Sequence, residues 1–369
     1  MNNKEQAYFN ILRAYFGLEK QIYECEDINW NDVIQLASVQ GTLPLVADYA
    51  LKLTDNSAPN KEQKVLMRQI AMQNMLHQQK LRTYLKLVKE CLDNAGIPFV
   101  LLKGYGLAAL YPNPDVRSSG DIDIFVGIDN FHKANALLKQ LPDVHTCDNH
   151  DTDEARHFNL HWENMQYVIE VHRVTGDFVD RKENDRYRVL EELGVFERAE
   201  KLIVDGVEYM VPSTAFNMFY VFFHMWHHYL SEGLHMKQLI DWLLVLHQAS
   251  EKNEDVRALE NDLTLFNLLE PWQVFATILV EYLGMNEGNI PCFVRKSDKA
   301  RRLLDYILYG EQRKYLRKKT YYNHGLKHKF ETLGFLMKDY QVTAEIFPSY
   351  ARHLLWGSIK HGLVKTFDM

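Results

Sequence analysis

Residues 117–126 read Arg-Ser-Ser-Gly-Asp-Ile-Asp-Ile-Phe-Val, and the fold follows from how this stretch is read. Asp121 and Asp123 alternate with Ile122, Ile124 and Val126. Successive side chains of a strand point to opposite faces, so the two carboxylates share one face while the aliphatics enter a core. Two negative charges side by side at the head of an apolar strand are costly without a cation between them. A divalent metal is the usual solution.

The flanking segments extend the pattern. Phe99-Val-Leu-Leu102 is a short continuous apolar run that predicts a buried strand. Lys103-Gly104-Tyr105-Gly106 turns the chain, Leu107 to Tyr111 reads as a short helix, and Pro112-Asn-Pro114 closes it. A strand that enters a glycine turn at a helix start offers free backbone N–H groups to a phosphate. Downstream, a helix is expected over 130–140. Segments 157–163 and 166–173 then read as two strands around a Glu163-Asn164 turn. On the second of these Glu170 and His172 share one face, and Ile169 and Val171 occupy the other. Asp121, Asp123 and Glu170 converging on one sheet face suffice to hold two Mg²⁺ ions about 3.5–4 Å apart, an arrangement that clamps a triphosphate during in-line displacement.

Taken in order, Leu101-Leu-Lys-Gly104, Leu107-Ala108, Leu110-Tyr111-Pro112, Arg117, Gly120-Asp-Ile-Asp-Ile-Phe-Val126 and Ile169-Glu-Val-His-Arg173 resemble the uncharacterised nucleotidyltransferase family of the polymerase-β-like superfamily. The close match covers about 98–173, with fainter echoes at 30–51 and 224–246. The resemblance implies that Asp121 and Asp123 ligate Mg²⁺ or Mn²⁺, and that Glu170 is the third acid, suited to activate an acceptor hydroxyl. It also implies that Gly104 lies against the phosphates of an NTP co-substrate. Two departures stand out. Tyr105 occupies the position after Gly104 where many members carry Gly or Ser, and the third acid is Glu rather than Asp.

The other polar residues have two readings each. Lys103 is either a phosphate contact or a structural partner of the aspartates. Arg117 either neutralises triphosphate charge or pairs with the neighbouring acids. His172 either contacts substrate or closes the strand face, and Glu170 has a salt bridge to Arg117 or Arg173 as its plainer role. His224, His227, His228 and His235 lie on or beside an aromatic helix without a carboxylate at zinc-protease spacing, so hydrogen-bonded, partly buried imidazoles are expected.

The expected architecture is α+β. A small mixed sheet of the nucleotidyltransferase type with flanking helices (96–175) stands between a helical N-terminal region (1–95) and a mainly helical C-terminal region (176–369). In the last region Asp205-Gly206 between β-rich arms predicts one hairpin over 201–211. Asn29 is a candidate cap for a helix from Trp30 to Gln40, and a long helix is expected from about Asn60 to Asn94. The 369 residues carry a net charge of −7, which argues against a surface devoted to nucleic acid. The stretch 295–330 is nonetheless basic, with twelve Lys/Arg against three Asp/Glu; it is either a solvated face or a docking surface, with RNA a minor option. Four well-separated cysteines read as free thiols of a reducing compartment, and a polar N-terminus without an apolar span reads as cytoplasmic. The expected activity is Mg²⁺-dependent transfer of an NMP group from an NTP to an acceptor hydroxyl of a small molecule or a protein, with release of pyrophosphate. The alternative is a catalytically degenerate nucleotide-sensing or protein-interaction module.

Overall fold

In a computed structural model, which describes residues 1–18, 28–146, 155–162, 168–178, 180–231, 233–310 and 342–353, helices start where polar caps precede apolar-periodic segments. Helix α1 (Asn3–Tyr15) has a reciprocal Asn2–Glu5 capping box. Helix α2 (Trp30–Val39) begins at Asn29, whose side chain accepts from the Asn31 and Asp32 N–H groups. Helix α3 (Leu43–Ala50) precedes α4 (Lys61–Asn94), a 34-residue helix opened by an Asn60–Gln63 capping box. The α4 chain stops at Ala95-Gly96, where Gly96 takes φ +64°, a conformation that glycine adopts without a Cβ penalty.

Next come β1 (Val100–Leu101), α5 (Tyr105–Ala108), a 3-10 turn at Pro114–Val116, β2 (Asp121–Phe125), α6 (Gly127–Leu138), β3 (Val144–Thr146), β4 (His157–Trp162) and β5 (Val168–His172). The strands form one sheet in the order β1-β2-β5-β4-β3. Only β2 and β5 run parallel. Their register sets Ile122 against Ile169 and Ile124 against Val171. All four are buried in one cluster with Leu81, Leu85 and Val88 of α4 and Phe131 and Leu138 of α6. A slip of one residue would send Asp123 into that cluster, so burial of one face fixes the register.

Three boundaries differ from the sequence reading. The first strand pairs over Val100–Leu101 alone. The short helix sits at Tyr105–Ala108 instead of 107–111, because the Gly106 N–H already closes on the Lys103 carbonyl at 2.8 Å. Helix α6 starts at Gly127, whose φ of +73° turns the chain directly out of β2. The turn expected at Glu163-Asn164 lies outside the described residues, although β4 and β5 do pair antiparallel.

Helix α7 (Arg181–Glu191) continues as a π turn over Glu192–Glu197. This turn sets Phe196 against Phe125 at 5.0 Å between ring centroids. Strands β6 (Glu200–Val204) and β7 (Val207–Val211) form the expected hairpin. Asp205 and Gly206 have φ +48° and +78°, as a two-residue hairpin turn with both central residues left-handed requires.

The described residues divide into two compact units. The first lies within Met1–Gly17, Ile22–Asp177 and Arg186–Asn217, and the second within Leu18–Gln21, Phe178–Asp185 and Met218–Met369. The sheet, the long helix and the hairpin all belong to the first.

Further helices among the described residues are α8 (Thr214–Ser231), α9 (Met236–Lys252), α10 (Leu259–Leu265), α11 (Leu269–Glu281) and α12 (Ser297–Tyr309), and residues 342–346 and 348–353 are also helical. The second unit has an aromatic core in which Trp272 meets Phe222 and Trp242 edge to face, with ring centroids 5.1 and 4.8 Å apart, and Phe222 lies tilted against Trp242 at 5.2 Å. The indole N–H groups of Trp242 and Trp272 donate to the carbonyls of Met218 and Pro291. His224 and His228 are half-buried and share a hydrogen bond of 2.9 Å between their Nε2 atoms. In the basic stretch, Arg295 pairs with Glu281 and Glu287, Lys299 with Glu270, and Arg301 with Asp305; its part over 311–330 lies outside the described residues. Cys91 and Cys292 are free thiols, and Cys25 and Cys147 also lie outside. Among the described residues no single helix is long and apolar enough to cross a membrane. The chain is mostly helical with a five-stranded mixed sheet and a small hairpin, an α+β fold.

Candidate metal centre

The carboxylates meet because β2 and β5 are parallel neighbours in register. Asp123 lies directly beside Glu170, and Phe125 beside His172. Ligand atoms of Asp123, Glu170 and His172 fall within 4.8 Å of one another. His172 Nε2 is 3.0 Å from Asp123 Oδ1 and 3.3 Å from Glu170 Oε2. Lys103 reaches in from the turn after β1, with Nζ 3.1 Å from the same Asp123 Oδ1 and 3.9 Å from Glu170 Oε2. Asp123 and His172 are buried, and Lys103 and Glu170 are half-buried.

Charge explains this packing. Burial works against the Lys103 ammonium, but Asp123, Glu170 and Asp121 outweigh it and raise its pKa. Burial likewise works against the His172 imidazolium, and hydrogen bonds to Asp123 and Glu170 still raise its pKa above the usual histidine value. Burial alone would raise the Glu170 pKa, yet the His172 hydrogen bond and the Lys103 charge bring it down to about 2. His157 pairs with His172 across β4 and β5, and their rings lie 5.3 Å apart. Its own pKa is lowered by burial and then by the His172 charge. The two imidazoles are thus shifted in opposite directions, His172 upward and His157 downward.

Asp121 begins β2 half-buried, on the same face as Asp123. It stands outside the group of three mutually close ligand atoms, yet its charge acts on both Lys103 and Glu170. Arg117 is buried just after the 3-10 turn, where its guanidinium donates to Ser119 Oγ. Gly104 takes φ +50° and ψ −116°. A Cβ placed there would lie 3.4 Å from Asp123 Oδ2. That oxygen is buried and has no hydrogen-bond partner. Oxygen donors from two acids with an imidazole beside them suit a divalent cation, Mg²⁺ by the carboxylates and Mn²⁺ more readily with the histidine. The residues that could hold such an ion are Asp123, Glu170 and His172, with the orphaned Asp123 Oδ2 as a further oxygen donor.

Alternation along the strand places His172 on the acidic face, but only the parallel register makes it a member of the ligand group. Tyr105 turns away from that group: its ring joins the hydrophobic cluster with Tyr209, Ile122 and Ile124, and its hydroxyl accepts from Arg82 Nη1 at 2.9 Å. The departure from a small residue after Gly104 therefore leaves the acidic face unobstructed. Arg82 escapes sequence reading, since nothing in the pattern of α4 relates it to residues 23 positions away.

The histidine has a measurable consequence. A folded-state pKa raised above about 6.5 contributes stability that is complete below that pH and is lost as pH rises through the folded value. Urea titrations of chelator-treated protein are expected to show stability falling from about pH 6.5 upward, and His172→Gln is expected to remove that slope. Glu170 acts at the other end. Its contribution is complete above about pH 4.3 and is lost as pH falls toward its folded value of about 2.

No curated protein matches the sequence. The crystal structure of an antigenic nucleotidyltransferase-like protein from Paracoccidioides brasiliensis aligns at 14% identity and a TM-score of 0.32, covering 57% of this chain and 92% of that one. The model of a family described as uncharacterised nucleotidyltransferase matches residues 26–284. That span takes in well over half of the chain and the whole acidic face, so the chain belongs to the uncharacterised nucleotidyltransferase family.

Proposed function

We propose that this protein transfers a nucleoside monophosphate from an NTP to an acceptor hydroxyl. The new bond joins the acceptor oxygen to Pα, the Pα–O bond to the β-phosphate breaks, and pyrophosphate leaves. The observation that carries this reading is the buried, unpartnered Asp123 Oδ2 beside Glu170 and His172, next to a glycine turn whose added Cβ would lie 3.4 Å from that oxygen.

Asp123 and Glu170, with Asp121 beside them, would hold Mg²⁺ or Mn²⁺. Such an ion, when bound, neutralises triphosphate charge as bonds form and break. The chain's own residues have distinct tasks. Lys103 and His172 contact the carboxylates and hold them in place. Lys103 adjoins Gly104 and is placed to meet phosphate oxygens. Glu170 is the acid suited to take the acceptor proton. Lys103 and His172 keep its pKa at about 2, so it is ionised and able to accept a proton at neutral pH, though as a weak base.

The same two cations favour a second reading, a nucleotide-sensing module that has lost turnover, because both pair with Asp123 Oδ1 and with Glu170 Oε2. Incubation with Mg²⁺ or Mn²⁺ and each α-labelled NTP, with and without cell extract, separates the two. Transfer is expected to place label on an acceptor and release pyrophosphate. Nucleotide binding without pyrophosphate release under any condition would establish the sensor instead.

A further inference from the structure

The polar face of α4 grips both loops that flank the acidic strand. Arg82, half-buried in the middle of α4, donates through Nη1 to Tyr105 Oη at 2.9 Å and to Asp115 Oδ1 at 2.7 Å. Its Nε lies 3.0 Å from Asp205 Oδ2 at the tip of the β6–β7 hairpin. One guanidinium thus joins four segments. Tyr105 is the residue after Gly104, and Asp115 belongs to the 3-10 turn that leads through Arg117 into Asp121. Further along the same helix, the Asn74 side-chain amide donates to the Asp115 carbonyl, and His77 Nε2 is 2.6 Å from the Ser119 carbonyl. Gly104 makes no such contact of its own, because it has no side chain. Its position over Asp123 Oδ2 is set by its neighbours, and Tyr105 is the neighbour with a hydrogen bond to a fixed helix.

We propose that Arg82 is a positioning residue of the nucleotide site, holding the Gly104 turn and the loop entering β2 at one fixed spacing through Tyr105 and Asp115. The inference rests on the nucleotidyl-transfer reading above, and it assigns Tyr105 the task of anchoring the turn from behind. The planar guanidinium fork serves Tyr105, Asp115 and Asp205 at once, which a lysine ammonium at the end of a flexible stem does not reproduce. Displacement of bound groups by about 1 Å is enough to cost up to a hundredfold in a positioned reaction.

The test measures equilibrium binding of the four NTPs in the presence of Mn²⁺, and of Mn²⁺ alone, to the full chain and to Arg82→Gln, Arg82→Lys and Tyr105→Phe. Circular dichroism confirms folding at the temperature used. Arg82→Gln is expected to weaken NTP binding by about tenfold or more, with Arg82→Lys intermediate. Tyr105→Phe, which removes one hydroxyl, is expected to weaken it less. Mn²⁺ alone is expected to bind all four proteins alike, since Arg82 touches none of the acids of the centre. NTP affinity unchanged within about twofold in Arg82→Gln overturns the proposal, and so does a parallel loss of Mn²⁺ affinity, which would mean that the whole centre had collapsed. If Arg82→Gln does not fold, Arg82→Lys and Tyr105→Phe decide it, and unchanged NTP binding in both overturns it. A parent protein that binds no NTP would refute the nucleotidyl-transfer reading itself, and this inference with it.

Discussion

Asp123→Asn is expected to lower metal-dependent nucleotidyl transfer by about a thousandfold or more while leaving the fold in place. Asp123 is the central acid of the cluster. One of its oxygens receives both Lys103 and His172, and the other is buried without a partner. Asparagine keeps the shape and one accepting oxygen for those two cations, but it presents a neutral amide where a divalent ion needs an anion. Charge stabilisation by a bound metal is worth several kcal/mol, and each 1.36 kcal/mol is tenfold in rate, which sets the expected scale. A second readout does not require the acceptor to be known. Saturation at about a hundred times Kd stabilises a protein by about 2.7 kcal/mol. Mn²⁺ should therefore raise the melting temperature of the parent and leave Asp123→Asn unmoved. Activity and metal-induced stabilisation both retained in the variant would remove Asp123 from the mechanism.

Gly104→Ala is expected to destabilise the protein and also to impair the site. At φ +50° and ψ −116° the backbone lies where an L side chain is strained, a penalty of about 1–3 kcal/mol. The added methyl would in addition stand 3.4 Å from Asp123 Oδ2, on the side left open for a ligand. Gly96→Ala isolates the first effect from the second. Gly96 also has a left-handed φ, of +64°, but a Cβ there meets nothing within 4 Å. Both variants should therefore melt earlier, by chemical or thermal denaturation, and only Gly104→Ala should lose Mn²⁺ affinity and transfer, by about tenfold or more. Equal activity in the two would mean that the Gly104 conformation serves the fold alone.

Much of this was legible from local chemistry. The alternation of Asp121, Ile122, Asp123 and Ile124 predicts a strand with one acidic and one apolar face, and β2 has both. Asn29, Asn60 and Asp205-Gly206 mark two helix starts and a hairpin because caps and tight turns depend on the residues at the turn itself. Boundaries were less legible. The strand at Phe99–Leu102 contracts to two paired residues, since ladder length depends on the partner strand, which local sequence does not describe. The order of Gly104, Asp121, Asp123 and Glu170 along the chain pointed to one acidic centre, and the resemblance to the uncharacterised nucleotidyltransferase family is borne out by the family match over 26–284.

By itself, then, the sequence determined the kind and order of most strands and helices of the acidic region and which of their faces are apolar, and it led to the expectation that three carboxylates and a glycine turn share one chemistry. These depend on periodicity and on residues close in the chain. Only the tertiary structure decided the partners. The parallel register of β2 and β5 makes Asp123, Glu170 and His172 the closest group and leaves Asp121 beside it. Lys103 lies on the carboxylates, Tyr105 turns into the core, and Arg82 joins loops that are far apart in sequence. The reason is physical. Ion pairs and hydrogen bonds act over a few ångströms of space, and the strand pairing and helix packing that bring such groups together come from burial of apolar faces distributed over the whole unit.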